Sequence, residues 1–308
     1  MTKFARRFAR RPFLFGSIGL LGGAGLALLG CSPAGLLNGV SRIAGDGGVR
    51  VALRGAPYGS DPRQKLDVYL PDKSPAGAQL PVVIFFYGGG WVDGDRGDYA
   101  FAGRAFAAQG FVAVVADYRL VPQVRFPAFN QDGALAVKWV RDNVARYGGD
   151  PARIALSGHS AGAYIAAMLS LDRHYLSEVG VDPAIIRAAA LLSGPYDFYP
   201  FTEMRGRDAL GAWPRPAETQ PISFARADAP PMLLIHGTAD TVARPYNSER
   251  LAAKLTALGA PVELRLYPDK SHIDTIKSLS PAFRGSTPAL ADSIAFLRRN
   301  TALPTSRP

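Results

Sequence analysis

The sequence predicts an α/β fold: a mostly parallel eight-stranded sheet, helices on both faces, and a short cap insertion after the sixth strand. Three observations carry this. From residue 49 onward, short β-rich runs alternate with helix-like segments, which calls for crossover connections. Several runs are apolar on both sides of the alternation, as strands in the middle of a covered sheet must be. A glycine-flanked serine stands at the join of one run with the helix after it, on the edge where an open α/β sheet gathers its functional groups.

The first two runs, Val49 to Leu53 and Leu66 to Leu70, follow one another with no helix between. That favours an antiparallel start. Val82 to Phe86, Val112 to Ala116, Ile154 to Ser157, Ala188 to Leu192, Met232 to Ile235 and Val262 to Leu266 supply the remaining six. Strands three and five to eight read as apolar on both sides and are assigned to the sheet centre. Helices are expected over Tyr99 to Gln109, Asp132 to Tyr147, Ala161 to Leu171, Ser248 to Leu258 and Ala289 to Arg299.

The first thirty residues read as an address and not as fold. Lys3, Arg6, Arg7, Arg10 and Arg11 precede the apolar run FLFGSIGLLGGAGLALLG, and the segment contains no acidic residue. This is the layout of an export signal, with an apolar part too short and too glycine-rich for a membrane span. Ala9-Arg10-Arg11-Pro12-Phe13-Leu14 resembles a twin-arginine export motif without its usual hydroxyl residue before the arginines. Leu28-Leu29-Gly30-Cys31 resembles a bacterial lipobox, in which Cys31 would be acylated. The chain has one cysteine, so Cys31 cannot form an internal disulfide, and a lipid explains its presence. The expected organisation is an export signal over 1–30, a tether over 31–48 and a catalytic domain over 49–303, held at a bacterial envelope, in the periplasm or anchored to a membrane.

Removing the signal lowers the formal charge from +10 to 10 − 5 = +5. With no Lys/Arg stripe interleaved with aromatic residues, nucleic-acid binding is not expected. No Cys/His cluster has metal-ligand spacing, so neither a metal nor an organic cofactor is expected.

The chemistry centres on Gly158-His159-Ser160-Ala161-Gly162. Such a G-x-S-x-G pattern is weak alone and strong at a strand-to-helix join. The tight turn pushes the serine hydroxyl out over the sheet, at the N-terminus of the next helix. A serine hydroxyl needs a base, and the chain holds four histidines. His159 adjoins Ser160 on a turn that points neighbours apart. His174 lies at the far end of the helix after Ser160, and His236 ends the seventh strand in a packing position. His272 follows the eighth strand at the carboxyl edge, which makes it the base by elimination and position. A carboxylate must orient the imidazole. Asp240, just beyond the seventh strand, lies next to the eighth; Asp197, after the sixth, is the runner-up. Asp269 and Asp274 read as structural or solvated.

These motifs are accompanied by Tyr87-Gly88-Gly89-Gly90-Trp91 after strand three, DYRLVP from Asp117, GGDPARIALSGHSAG from Gly148 and HGTAD from His236. Together they resemble the α/β-hydrolase family from residue 57 to the C-terminus, in its esterase and lipase group related to hormone-sensitive lipases and cholinesterases. The order Ser160, Asp240, His272 is the family's order. The resemblance implies a carboxylesterase-type serine hydrolase that works through an acyl-enzyme. It also implies an oxyanion hole built from the N–H groups of Gly89, Gly90 and Ala161, each such donor being worth about 3 kcal/mol in the transition state. Many hormone-sensitive-lipase relatives carry His where Tyr87 stands, whereas cholinesterase relatives carry Tyr.

The partner expected is a small to medium ester, contacted by Trp91, Tyr196 and Phe198. Residues 194–231 form the short cap insertion and hold Tyr196, Phe198, Tyr199, Phe201 and Trp213, placed either to line a pocket or to pack on themselves. GGGW also resembles kynurenine formamidases, whose aryl formamide substrates belong in the cytoplasm, against the export signal. Two further readings compete: a non-catalytic binding lipoprotein on a hydrolase fold, and a prolyl-oligopeptidase-type peptidase, which would need a propeller-sized N-terminal domain.

Overall fold

A computed structural model describes residues 35, 37–39, 48–74 and 77–303, all within one compact unit, Ser32–Pro308. The expected export signal, Cys31 and most of the tether lie outside the described residues. Among the described residues no helix is long and apolar enough to cross a membrane.

Eight strands form one sheet: β1 (Val49–Pro57), β2 (Lys65–Pro71), β3 (Leu80–Phe86), β4 (Val112–Ala116), β5 (Gly149–His159), β6 (Ile186–Leu192), β7 (Met232–Gly237) and β8 (Val262–Tyr267). Their spatial order is β1-β2-β4-β3-β5-β6-β7-β8. The pairs β1/β2 and β2/β4 are antiparallel, and every other pair is parallel. The expected antiparallel start is therefore present. All five residues of β4 are buried, as are the last five of β3 and all of β7. Because alternate residues of a strand point to opposite faces, such runs mean that both faces are covered.

One expectation needs correcting. β8 is an edge strand and not part of the apolar centre. Glu263 and Arg265 alternate with its apolar residues, and they pair with each other at 2.9 Å on the exposed side. Charged side chains of this kind blunt the free edge.

From residue 48 onward the α-helices are α1 (Ala100–Ala107), α2 (Ala128–Asn143), α3 (Ala161–Leu171), α4 (His174–Glu178), α5 (Met204–Leu210), α6 (Tyr246–Ala257), α7 (His272–Lys277) and α8 (Ala289–Asn300). α3 is buried along its whole length, which explains why its sequence is apolar all round rather than striped. α4, α5 and α7 are short and have no sequence period to reveal them. α7 is announced by chemistry instead: Ser271 and Asp274 form a capping box at its start.

Buried ion pairs lock the loops that carry the site. Asp132 on α2 is fully buried and accepts hydrogen bonds from the Arg119 guanidinium at 2.7 Å, the Arg119 backbone N–H at 2.8 Å and Gln64 Nε2 at 2.7 Å. Arg96 bridges Asp67, at 2.9 Å, and Asp117. Together these charged groups hold the chain after β4 against the loop after β3. Replacing Arg119 with Ala would strand the Asp132 carboxylate in the core, a loss of about 3 kcal/mol or more. Urea unfolding of Arg119→Ala should show it as a lowered midpoint at unchanged slope; a shift worth under about 1 kcal/mol would remove the locking role.

Candidate active site

Ser160 stands between β5 and α3 with φ 54° and ψ −122°, a conformation that costs an L-residue about 1–3 kcal/mol. The surroundings enforce it. Gly162 passes so close to β3 that a methyl group there would lie 2.0 Å from the Phe86 carbonyl oxygen. The Ser160 N–H meanwhile donates to the Leu192 carbonyl at 2.9 Å, anchoring the turn to the end of β6.

The three-glycine run follows β3 and lies over this turn. A methyl on Gly88 would stand 3.1 Å from Ser160 Cβ and 2.8 Å from His159 Nδ1. Gly89 has φ +146°, and a Cβ there would meet the Asp93 carbonyl oxygen at 2.0 Å. The position admits glycine alone. Gly89, Gly90, Ala161 and Ser160 line one cavity, and Ala161 opens α3, where unpaired helix N–H groups favour negative charge.

His272 opens α7 and lines the same cavity. Its Nδ1 lies 2.7 Å from Asp240 Oδ2. An ionised carboxylate only accepts, so in the neutral ring Nδ1 carries the proton and Nε2 is left with a free lone pair, as a base would need. Asp240 lies on the loop after β7 and is itself held at several points. Its Oδ1 accepts the N–H groups of Val242 at 2.8 Å and Ala243 at 2.9 Å. Burial pushes its pKa up, but hydrogen bonds from His236 and His272, with the charge they carry when protonated, outweigh burial and hold it well below the ordinary carboxylate range.

Two further histidines brace this pair. His236, fully buried, reaches Asp240 Oδ2 at 3.2 Å through Nε2, which also donates to the Ala243 carbonyl, while Nδ1 meets Ser248 Oγ at 2.7 Å. His159 Nε2 donates to the backbone carbonyl of His272 at 3.0 Å, and the two rings lie 4.7 Å apart. Burial, reinforced by the neighbouring His272, lowers the His159 pKa to about 3. It stays neutral and does not oppose a charge forming on His272. Only the folded chain reveals these contacts, since nothing in the sequence spacing of His159 or His236 marks them.

The other candidates are used elsewhere. Asp197 pairs with Arg250 at 2.9 Å and makes no contact with His272. Asp274 caps α7, and His174 sits half-exposed beside Asp172 at 2.6 Å. Tyr87 is fully buried, stacked between Tyr99 and Tyr118 with its hydroxyl taking a hydrogen bond from Arg63 at 2.8 Å. It supports the glycine loop from below.

The cavity measures about 820 Å³. Trp91 and Phe198 both line it and face each other with rings 6.2 Å apart and nearly parallel. Tyr196, expected to contact substrate, is fully buried and is not among the lining residues. Its backbone N–H is tied to Asn247 Oδ1 at 2.9 Å, which turns the ring into the core. Phe201, Met204, Arg205, Val242, Arg244 and Ile273 line the cavity as well, none of them marked by a sequence motif. The cap insertion divides accordingly: Phe198, Phe201 and the start of α5 face the cavity, while Trp213 packs on Phe126 at 5.0 Å. Among the described residues no group of three or more His, Cys, Asp or Glu side chains could hold a metal ion.

Comparison with known proteins finds esterases among those similar to this chain. Residues 66–255 match the BD-FAE family model. An isoprenylcysteine alpha-carbonyl methylesterase from Arabidopsis thaliana is 31% identical over 262 residues, covering 78% of this chain and 60% of that protein. Esterase LipC from Mycobacterium tuberculosis is 34% identical over 221 residues, covering 65% of this chain and 54% of that one. The chain thus spans little more than half the length of these curated relatives. Among solved structures, Thermogutta terrifontis esterase 2 is 26% identical with a TM-score of 0.68, covering 83% of this chain and 96% of that one.

If Asp240 is the residue that orients His272, Asp240→Asn should lower kcat by about 10³- to 10⁴-fold through the wrong imidazole tautomer. Asp197→Asn, which loses only a half-exposed ion pair, should stay within about threefold of wild type. Steady-state kinetics of the two variants decide between the acids, and the reverse result would reassign the role to Asp197.

Proposed function

The chain belongs to the BD-FAE family, and on that footing we propose that it is a serine carboxylic-ester hydrolase acting on small to medium esters through an acyl-enzyme. The observation that carries this reading is the His272–Asp240 hydrogen bond of 2.7 Å on the wall of a cavity that Ser160 and the glycine run also line.

In the proposed cycle Ser160 Oγ attacks the ester carbonyl carbon while His272 Nε2 takes the hydroxyl proton. The carbonyl oxygen becomes an oxyanion, received by the N–H groups of Gly89, Gly90 and Ala161. Collapse breaks the carbon–oxygen bond to the alcohol, which leaves with the proton from His272. Water then attacks the acyl-enzyme with His272 as base, releasing the acid and restoring Ser160. Asp240 keeps its charge throughout and steadies the imidazolium.

The relatives support an ester substrate. The Arabidopsis protein is named a methylesterase, and Thermogutta terrifontis esterase 2 has been solved phosphorylated by paraoxon, at 25% identity. An organophosphate of that kind reacts with an activated nucleophile, the role that Ser160 takes in the proposed cycle. The cavity between Trp91, Phe198 and Phe201 suits the apolar arm of the ester.

We also propose that residues 1–30 export the chain and that Cys31 is acylated, holding the enzyme at the cell envelope. The support is the basic start, the apolar run after it and the lone cysteine at its end.

A fluorophosphonate probe should label Ser160, located by mass mapping, and nitrophenyl esters of increasing chain length should be hydrolysed. Ser160→Ala should keep the fold and lose about 10³-fold or more of the activity. Folded wild type with neither adduct nor turnover would sink the hydrolase reading in favour of a binding protein. For the anchor, metabolic labelling with an alkynyl fatty acid should tag wild type and spare Cys31→Ala; equal tagging of both, or of neither, would remove it.

A further inference from the structure

The mouth of the catalytic cavity carries an unusual share of the molecule's exposed apolar side chains. Met204 is 75% exposed, Val242 66% and Ile273 41%, and all three line the cavity. They come from three separate elements: α5 in the cap, the loop that holds Asp240, and the first turn of α7. Tyr199, 55% exposed, adds a fourth beside them, its ring 5.4 Å from that of Phe201 on the cavity wall. Scattered exposed apolar residues need no explanation, whereas a group gathered round one opening marks a surface that meets something apolar.

Two arginines flank this rim. Arg205 follows Met204, Arg244 lies two residues beyond Val242, and both line the cavity. Arg205 gives one hydrogen bond to the Gly89 carbonyl at 3.4 Å, and among the described residues neither arginine forms an ion pair with a carboxylate. Asp93 and Glu203 also line the opening, and Asp93 turns one oxygen to the Gly94 N–H at 2.7 Å. Apolar side chains interleaved with long cations suit the boundary of a bilayer, where the first enter the acyl region and the second reach headgroup phosphates.

The chain's own course selects that occupant. Leu37 lines the same cavity, and Asn38 Nδ2 donates to the Gly97 carbonyl at 2.7 Å, pinning the segment beside the mouth. A lipid on Cys31 would stand six residues before Leu37, a tether of at most about 20 Å even when fully extended. An anchor that short leaves the mouth beside the surface it is anchored to.

We propose that the cavity mouth is a membrane-docking surface: Tyr199, Met204, Val242 and Ile273 dip into the bilayer interface, Arg205 and Arg244 engage headgroups, and amphipathic esters pass from the membrane to Ser160. The substrate part of this inference rests on the hydrolase reading, and the choice of a membrane as the occupant rests on the acylated Cys31 proposed above.

The test uses the full chain with vesicles of phosphatidylcholine and phosphatidylglycerol. Two nitrophenyl esters are supplied, a short one in solution and a long-chain one held in the vesicles, and the quantity read is the ratio of their rates. Tyr199→Ser combined with Met204→Ser, and separately Arg244→Gln, should each lower the vesicle-to-solution ratio about fivefold or more. A general loss of activity moves both rates together, so an unchanged ratio in both variants overturns the inference. A second readout does not depend on turnover. An environment-sensitive dye on Met204→Cys, in a Cys31→Ser background, should shift to the blue when vesicles are added. The same dye on Arg187→Cys, an exposed position at the opposite end of β6 from the site, should not. An equal response at both positions, or none at either, overturns the docking surface. Failure of wild type to hydrolyse either ester would defeat the hydrolase reading and leave the dye to decide the docking.

Discussion

The site depends on one close approach, the backbone of Gly162 against the end of β3. With no side chain between them, the first turn of α3 sits within a methyl group's width of the Phe86 and Tyr87 carbonyls. Ser160 can then adopt positive φ and remain there, because β5, β6 and α3 restrain it together. The same proximity lays Gly88 directly over Ser160 and His159. A larger residue at 162 would push β3 and α3 apart and separate the glycine loop from Ser160.

Around this fixed point the remaining groups are positioned by hydrogen bonds more than by packing. Asp240 is tied to two backbone N–H groups and two imidazoles. His272 is tied twice, through its ring to Asp240 and through its carbonyl to His159. Three of the four histidines therefore form one buried assembly, and they divide the work. His159 is kept neutral by burial, His236 commits both nitrogens to its neighbours, and His272, with Nδ1 committed to Asp240, lines the cavity. Buried polar groups carry a desolvation cost unless they are bonded; His159 Nδ1 is left without a partner, while the other bonds of this assembly are also the ones that orient the His272 ring.

The cap is small, and its division of labour follows from its ties. Gln220 Oε1 accepts the backbone N–H of Phe198 at 2.7 Å, and Asn247 Oδ1 accepts those of Tyr196 and Asp197 at 2.9 Å each. These bonds turn Phe198 to the cavity and Tyr196 to the core. The cavity is consequently walled by aromatic faces on one side and by the loops that carry Ser160, Asp240 and His272 on the other, with an apolar rim at the opening.

Local sequence is enough to locate the strands, the long helices, and Ser160, Asp240 and His272 at the carboxyl edge. Each of these rests on short-range information: strand period, glycine spacing, and position relative to a strand end. The edge position of β8 lies beyond its apolar residues, which resemble those of a central strand; Glu263 and Arg265 are the signal that marks the edge. The inward turn of Tyr196, the bracing of the His272–Asp240 pair by His159 and His236, and the gathering of Met204, Val242 and Ile273 round one opening belong to the folded chain only. They join residues up to 113 positions apart, and chain separation of that kind leaves no periodic or compositional trace. Such contacts come into being only when the sheet brings its loop ends to one edge.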